Sequence, residues 1–343
     1  MCHFKGELLR PIMNHLSNII ISRTDSIGDV ILTLPMCTVL KEKYPDIKIG
    51  FLGKAYTKPI IEACKYVDVF IDVDDFLKSD ITINGEKPQA IIHVLPKSEI
   101  AKRAAQLKIP LRIGTRNRLY HWPWCNKLVK LSRKKSDLHE AQLNIALLAP
   151  LGISKRYSLE EIGQMYGLIK LHPLSEKFAS LINKSKYNLI LHPKSQGSAR
   201  EWPLSNYVEL VRILDKNRFN VFVSGVEKDR VALDELFSAV GNDVNDIVGK
   251  MSLNEFMAFI NQCNGLLACS TGPLHIAAAL GKDALGLYSP MRPVHPGRWA
   301  PLGKNARVFV EKEPCGKCKN AVECTCVARI TPTEINEYLT SLL

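Results

Sequence analysis

The sequence predicts an α/β protein built from two Rossmann-like, doubly wound halves, and three observations predict it. Short β-rich apolar runs alternate with helix-like segments, a pattern that implies parallel sheets covered on both faces. The alternation lapses after about residue 152 and restarts at Tyr187. At 343 residues the chain also exceeds the size at which a single core keeps growing, so two domains are expected. The expected boundaries are 1–168 for the first domain, with residues 1–18 as an extension, 169–186 for a linker, and 187–343 for the second domain. The last helix is expected to pack back on the first domain. Two such halves place the best ligand site in a cleft between them.

Element by element, Ile19 to Ser22 reads as the first strand, and a loop then leads to a helix from about Gly28 to Lys43. Ile47 to Leu52 is a second strand, Lys58 to Lys65 a helix, and Val69 to Ile71 a third strand. Ala90 to Leu95 repeats the pattern, followed by a helix near Glu99 to Leu107 and a strand at Leu111 to Ile113. A helix from about Leu138 to Leu148 closes this half. Residues from Gly152 to Ser185 lose regularity and read as a linker with one extra strand. The second half opens with the strand Tyr187 to His192, a helix near Ser205 to Asp215, and the strand Asn220 to Ser224. Helices over Lys228 to Ala239 and Leu253 to Asn261 follow. The apolar runs Gly265 to Cys269 and Ala284 to Tyr288 flank the segment Ser270 to Ala279. An apolar run that stops at small hydroxyl residues, a glycine and a proline, then turns helical, describes a buried parallel strand feeding a helix. A strand at Arg307 to Val310 and a helix from Thr333 to Leu342 complete the chain.

A hydrophobic content of 46% and a charged content of 23% suit a soluble globular protein. No apolar stretch approaches the roughly 20 residues needed to span a bilayer. The first residues lack the pattern of a secretory signal. Ten cysteines without such a signal argue for reduced thiols in a cytoplasm. The net charge of +12 calls for an anionic partner, and much of it is local. From Arg112 to Lys135 the chain carries Arg112, Arg116, Arg118, Lys127, Lys130, Arg133, Lys134 and Lys135 with no acidic residue, and Tyr120, Trp122 and Trp124 lie in the same stretch. This segment reads either as a solvated basic face or as a docking surface for anionic lipid headgroups, with indole rings at the water–hydrocarbon boundary. Nucleic acid is the less fitting partner, because no nucleic-acid motif accompanies the charge.

Four segments carry candidate chemistry besides the Ser270 to Ala279 turn. The first, Arg23 to Asp29, leaves the first strand where open α/β sheets bind ligands; Asp29 is either a functional carboxylate or a helix-start residue. It matches neither a dinucleotide nor a P-loop fingerprint. The second, His192 to Pro203, joins a strand to a helix with Lys194, Ser195, Ser198 and Arg200, a composition suited to a diphosphate. The third places Glu227 past a strand end, where it is either a carboxylate accepting hydrogen bonds from ribose hydroxyls or an ordinary helix-start acid. The Ser270 to Ala279 turn itself offers free backbone N–H groups and a positive helix end to phosphate. The fourth segment, Cys315, Cys318, Cys324 and Cys326, has one zinc-like CxxC pair but no paired histidine. Free thiols are the expectation there, and no metal site is assigned.

Together these motifs resemble glycosyltransferase family 9, the ADP-heptose:lipopolysaccharide heptosyltransferases. The resemblance rests on Ser26-Ile27-Gly28-Asp29 with Leu34-Pro35 beyond it, on His192-Pro193 with Arg200-Glu201-Trp202-Pro203, and on Thr271 to Ala279 with the cysteines near Cys315. It runs from about Ile19 to the end of the chain. It implies a GT-B fold of two Rossmann-like domains facing across a cleft, with the donor held by the second. It further implies that Asp29 is the general base, that Arg200 meets the donor diphosphate and Glu227 the ribose, and that Thr271, Gly272 and His275 lie near the donor phosphates and sugar. Two positions depart from the family pattern: Ser270 stands where Asp or Asn is frequent, and Lys194 where Gly is. The expected activity is an inverting, metal-independent transfer needing no cofactor. A sugar, heptose from ADP-heptose by resemblance, moves to a lipopolysaccharide core or related envelope glycolipid. The expected place is the cytoplasmic face of the inner membrane of a Gram-negative bacterium, with Arg116, Arg118, Trp122 and Trp124 toward the acceptor and membrane. The alternatives are a nucleotide-sugar epimerase on the same fold and a basic nucleic-acid-binding protein.

Overall fold

The structure is a computed structural model that describes residues 16–292, 294–311 and 325–343. The chain divides into two compact units between Lys170 and Leu171. The first unit opens with β1 (Asn18–Ser22), in which every residue is buried. Its three consecutive isoleucines need apolar cover on both faces, which a central strand of a helix-flanked parallel sheet receives. A loop leads to α1 (Ile27–Ile31) and then α2 (Pro35–Lys43), so the single helix expected over this stretch is two. Pro35 occupies the first turn of α2, where a missing N–H leaves no hydrogen bond unmade.

β2 (Lys48–Gly53), α3 (Lys58–Ala63), β3 (Val69–Asp72) and α4 (Val73–Lys78) follow. The chain then crosses to β4 (Ala90–His93), α5 (Ser98–Gln106), β5 (Leu111–Thr115), β6 (Lys127–Val129) and α6 (Glu140–Ala146). All strand pairs are parallel, in the order β3-β2-β1-β4-β5-β6. The direction of winding reverses between β1 and β4. Loops leaving the carboxyl ends of these two strands therefore flank the point where an open sheet takes a ligand. After α7 (Leu159–Gly163), the extra strand expected within residues 152–185 is reduced to one antiparallel bridge, Cys64 to Leu168. An isolated pair of backbone bonds forms there in place of a ladder.

The second unit starts with α8 (Glu176–Ala179) and β7 (Tyr187–His192). α9 (Leu204–Ile213), β8 (Phe219–Val223), α10 (Arg230–Val240), β9 (Asn245–Asp246) and α11 (Leu253–Gln262) build one side of its sheet. β10 (Gly265–Cys269), α12 (Gly272–Ala279), β11 (Asp283–Tyr288), α13 (Pro296–Trp299) and β12 (Ala306–Val310) build the other. α14 (Thr325–Ala328) and α15 (Pro332–Ser341) finish the chain. The order β9-β8-β7-β10-β11-β12 repeats the winding of the first unit, with its reversal between β7 and β10. The core gathers Trp202, Tyr207, Leu267 and Leu285 with Ile335 and Leu339 of α15. Ile335 and Leu339 make the last helix part of this core. Its Tyr338 ring meets Phe309 edge to face at 5.6 Å. Among the described residues no helix is long and apolar enough to cross a membrane.

Candidate active site

Asp29 lies in the first turn of α1, just past the carboxyl end of β1. Its carboxylate is held at both oxygens: Arg23 Nη2 donates to Oδ1, and the Ser26 hydroxyl donates to Oδ2 at 2.5 Å. Arg23 is only 3% exposed and is shared among three carboxylates. Its Nε lies 2.7 Å from Asp25 Oδ1 and its Nη1 3.1 Å from Glu140 Oε1, at the start of α6. Glu140, 1% exposed, also accepts from Arg133 Nε at 2.8 Å. A buried carboxylate is tolerable only when paired in this way. Burial pushes the Asp25 carboxyl up to about 6; the charge of Asp29 adds to this and Arg23 opposes it. Two neighbouring carboxyls that share one guanidinium, one of them with a raised pKa, form the kind of pair that proton-transfer sites use.

In the second unit, topology brings three loops to one sheet end. β7 lies between β8 and β10, so the residues after each of these strands are neighbours. After β7, Glu201 closes the loop on itself: it accepts from Lys194 Nζ at 2.5 Å, from Ser195 N at 2.7 Å and from Ser195 Oγ at 3.0 Å. Against the cost of burial, these donors hold the Glu201 carboxyl below the usual range. Lys194 therefore braces the loop that carries Arg200, and Trp202 anchors that loop in the core, its Nε1 donating to Ile330 O at 2.9 Å. His192 Nδ1 lies 2.9 Å from Ser224 Oγ, and burial pushes this imidazole down to about 4.

Past β8, Glu227 is exposed and pairs with Arg230 at 3.2 Å. Its side chain lies over Gly249, whose φ of +68° and missing Cβ make room for it. Past β10, Ser270 hydrogen-bonds with Tyr288, and Thr271 precedes α12 with its buried hydroxyl unpartnered among the described residues. Gly272 begins the helix, and His275 is buried within it. Lys194, Ser195, Arg200, Glu227, Ser270, Thr271, Gly272 and His275 are thus at one end of the second sheet.

The basic segment of the first unit connects β5 to α6. Arg116, Arg118 and Trp122 are exposed, whereas Trp124 is half-buried and its carbonyl accepts from Arg112 Nε at 2.7 Å. Leu119, unnoticed in the sequence, is 82% exposed beside Trp122 at 53%. Arg133 is turned inward to Glu140 and is no part of the outer face. Among the described residues no group of three or more His, Cys, Asp or Glu side chains could hold a metal ion. Cys326 is buried, while Cys315, Cys318 and Cys324 lie outside the described residues.

Sequence reasoning singled out Asp29 but not Arg23, Asp25, Glu140 or Arg133 as its partners. Arg23 and Asp25 stood in the same segment and could have been paired by charge. Nothing local marks Glu140.

The two doubly wound units give the chain the GT-B fold class. Residues 100–326 match the model of glycosyltransferase family 9 (heptosyltransferase), and the chain belongs to that family. It is 24% identical over 302 residues to the lipopolysaccharide core heptosyltransferase OpsX of Haemophilus influenzae, covering 85% of this chain and 84% of that protein. The solved structure of the family 9 glycosyl transferase of Veillonella parvula superposes with a TM-score of 0.79 at 19% identity, covering 95% of this chain and 97% of that one. The Escherichia coli ADP-heptose LPS heptosyltransferase II gives 0.70 at 21% identity, with 95% and 98% covered. At such identities the superpositions speak for the fold.

Proposed function

We propose that this protein transfers a heptosyl residue from ADP-heptose to a lipopolysaccharide core acceptor, with inversion at the anomeric carbon and Asp29 as general base. The observation that carries the reading is the Asp29 carboxylate at the β1 switch point, fixed at both oxygens by Arg23 and Ser26. In the proposed reaction Asp29 takes the proton of an acceptor hydroxyl. That oxygen attacks the anomeric carbon from the face opposite the leaving group, through an oxocarbenium-like state. The bond to the diphosphate breaks, and its electron pair leaves with ADP. The charge so formed is met by Arg200, braced through Lys194 and Glu201, by Ser195, and by the Thr271 hydroxyl and free N–H groups opening α12. Glu227 is assigned to the ribose and His275 to the donor sugar side. These groups are the chain's own, so the reading requires no metal and no cofactor. The donor is suggested by the E. coli relative and the acceptor by OpsX.

We also assign the protein to the cytoplasmic face of the inner membrane. There Leu119 and Trp122 would enter the interface while Arg116 and Arg118 meet anionic headgroups.

The test is ADP release from ADP-heptose with a Kdo2-lipid A acceptor, run beside GDP- and UDP-sugars and without acceptor. Asp29→Asn is expected to cut kcat by about 100-fold or more, and EDTA to leave the rate unchanged. Wild-type turnover in Asp29→Asn refutes the role of the base. Conversion of the donor sugar without acceptor points to an epimerase instead.

A further inference from the structure

The contacts around Asp29 close into a ring. From its carboxylate they run to Arg23, then to Glu140 Oε1 at 3.1 Å, and on to Arg133 Nε at 2.8 Å from the same oxygen. Arg133 Nη2 donates to Asn144 Oδ1 at 2.9 Å, and Asn144 Nδ2 donates to Thr33 Oγ1 at 3.2 Å. The Thr33 hydroxyl donates to the backbone carbonyl of Asp29 at 2.8 Å. Asp29 is therefore held through its side chain and its main chain by one circuit that passes through α6. Arg23, Glu140, Asn144 and Thr33 are all buried, and Arg133 is 20% exposed.

We propose that Arg133, Glu140 and Arg23 are a charge relay that orients Asp29 and tunes how readily it takes a proton. This inference rests on the reading of Asp29 as the base. All three are positioning residues and act on the acceptor only through Asp29.

Three features favour a tuned device over a structural tie. Among the described residues the circuit places Arg23 and Arg133 against Asp25, Asp29 and Glu140, in a setting where each charge is worth more than in water. Glu140 lies between the two guanidiniums, with one oxygen accepting from both. It therefore divides the pull of Arg23 between itself and the aspartates. Burial raises the Asp25 carboxyl, with the charge of Asp29 adding to this and Arg23 opposing it, so the two aspartates and the guanidinium act on one another. Further groups facing the pair are the Ser26 hydroxyl and Tyr56, whose hydroxyl donates to the Asp25 carbonyl at 2.5 Å.

The relay makes a signed prediction. Glu140→Gln keeps the shape but removes a negative charge, leaving Arg23 to the aspartates alone. Arg133→Gln removes a positive charge and leaves Glu140 to compete for Arg23. In the ADP-release assay, the acid limb of the kcat/KM profile is expected to move to lower pH in Glu140→Gln and to higher pH in Arg133→Gln, each by about half a unit or more. kcat should fall about tenfold in each, with donor KM within about twofold. Arg133→Lys, which keeps the charge, should restore the position of the limb. A structural tie would instead lower thermal stability in both variants and leave the limb in place. Limbs that stay fixed, or that move in the same direction, overturn the proposal.

Should Glu140→Gln not fold, the sign of the Arg133→Gln shift decides, since that side chain reaches the surface. Wild-type turnover in Asp29→Asn removes the base reading itself. An inactive Asp29→Asn beside fixed limbs removes only the relay.

Discussion

His121 lies over the end of the first sheet because residue 114 has no side chain. A Cβ there would come within 2.6 Å of His121 Nδ1 and 2.7 Å of Cys125 Sγ. That Nδ1 accepts the Thr115 N–H at 3.0 Å, so the ring cannot retreat without losing a buried hydrogen bond. Gly114→Ala should therefore cost roughly 1–3 kcal/mol. Urea unfolding at neutral pH measures it, and an unchanged midpoint contradicts the packing argument. The same contrast between near and far contacts decides what could be read from the residues themselves. Asp29 was legible because a strand, a glycine and a helix start surround it locally. Its partner Glu140 is 117 residues from Arg23, and an acid at a helix start has an adequate local explanation, so only the folded chain exposes the pairing. Lys194 was legible as a cation in a phosphate-like loop, but its commitment to Glu201 was not, because seven residues apart in a loop implies no geometry.

At the scale of elements, apolar runs and helix-start chemistry located most strands and the longer helices but not α4, α7, α8, α13 or α14, since burial on both faces writes itself into the composition of the long elements. The exceptions are short or polar. β6 and β9 have three and two residues, none fully buried, and take their strand character from pairing at a sheet edge. α4 follows β3 without a break and is capped by Asp72, whose side chain accepts from Asp74 N at 2.8 Å. The turn between β5 and β6 is an element whose role depends on what it leaves outside. Its indole Nε1 donates inward to Arg116 O at 2.9 Å, leaving the Trp122 ring face and Leu119 outward among cations. Vesicles containing phosphatidylglycerol should bind the protein in a salt-dependent way. Arg116→Ser with Arg118→Ser should weaken binding by about 1 kcal/mol per cation removed. Leu119→Ser with Trp122→Ser should weaken it even at low salt. Equal binding to neutral phosphatidylcholine vesicles would rule out this docking face.

For the whole molecule, the sequence announced two windings through the restart at Tyr187, and the two sheets share one strand order. Each unit also buries a histidine that is neutral at physiological pH. Burial, with His121 and Arg112 adding to it, pushes His93 down to about 3, and burial pushes His192 down to about 4. An unfolded histidine titrates near 6.5. Below that pH the unfolded chain binds protons that the folded chain refuses, so stability is lost as pH falls toward the folded values. Asp25 works in the opposite direction, binding a proton when folded up to about pH 6, but one such group opposes two histidines. Urea midpoints should fall between pH 6.5 and 5, by on the order of 1–3 kcal/mol in total. A flat or rising midpoint would show that these imidazoles are solvated.

The circuit through Asp29 also has a consequence for the order in which the protein is made. Asp29 leaves the ribosome ahead of the helix that supplies Glu140 and Asn144, which emerges more than 100 residues later. At about 5–20 residues per second that interval lasts roughly 5–20 s. Closing so long a segment costs about 4 kcal/mol in chain entropy, which the sheet must recover before the circuit can close. The carboxylate is thus synthesised beside Arg23 and Ser26, and the circuit around it closes last. A nascent first unit that stops short of α6 holds its proposed base with Arg23 and Ser26 but without the Glu140 and Asn144 that complete the circuit.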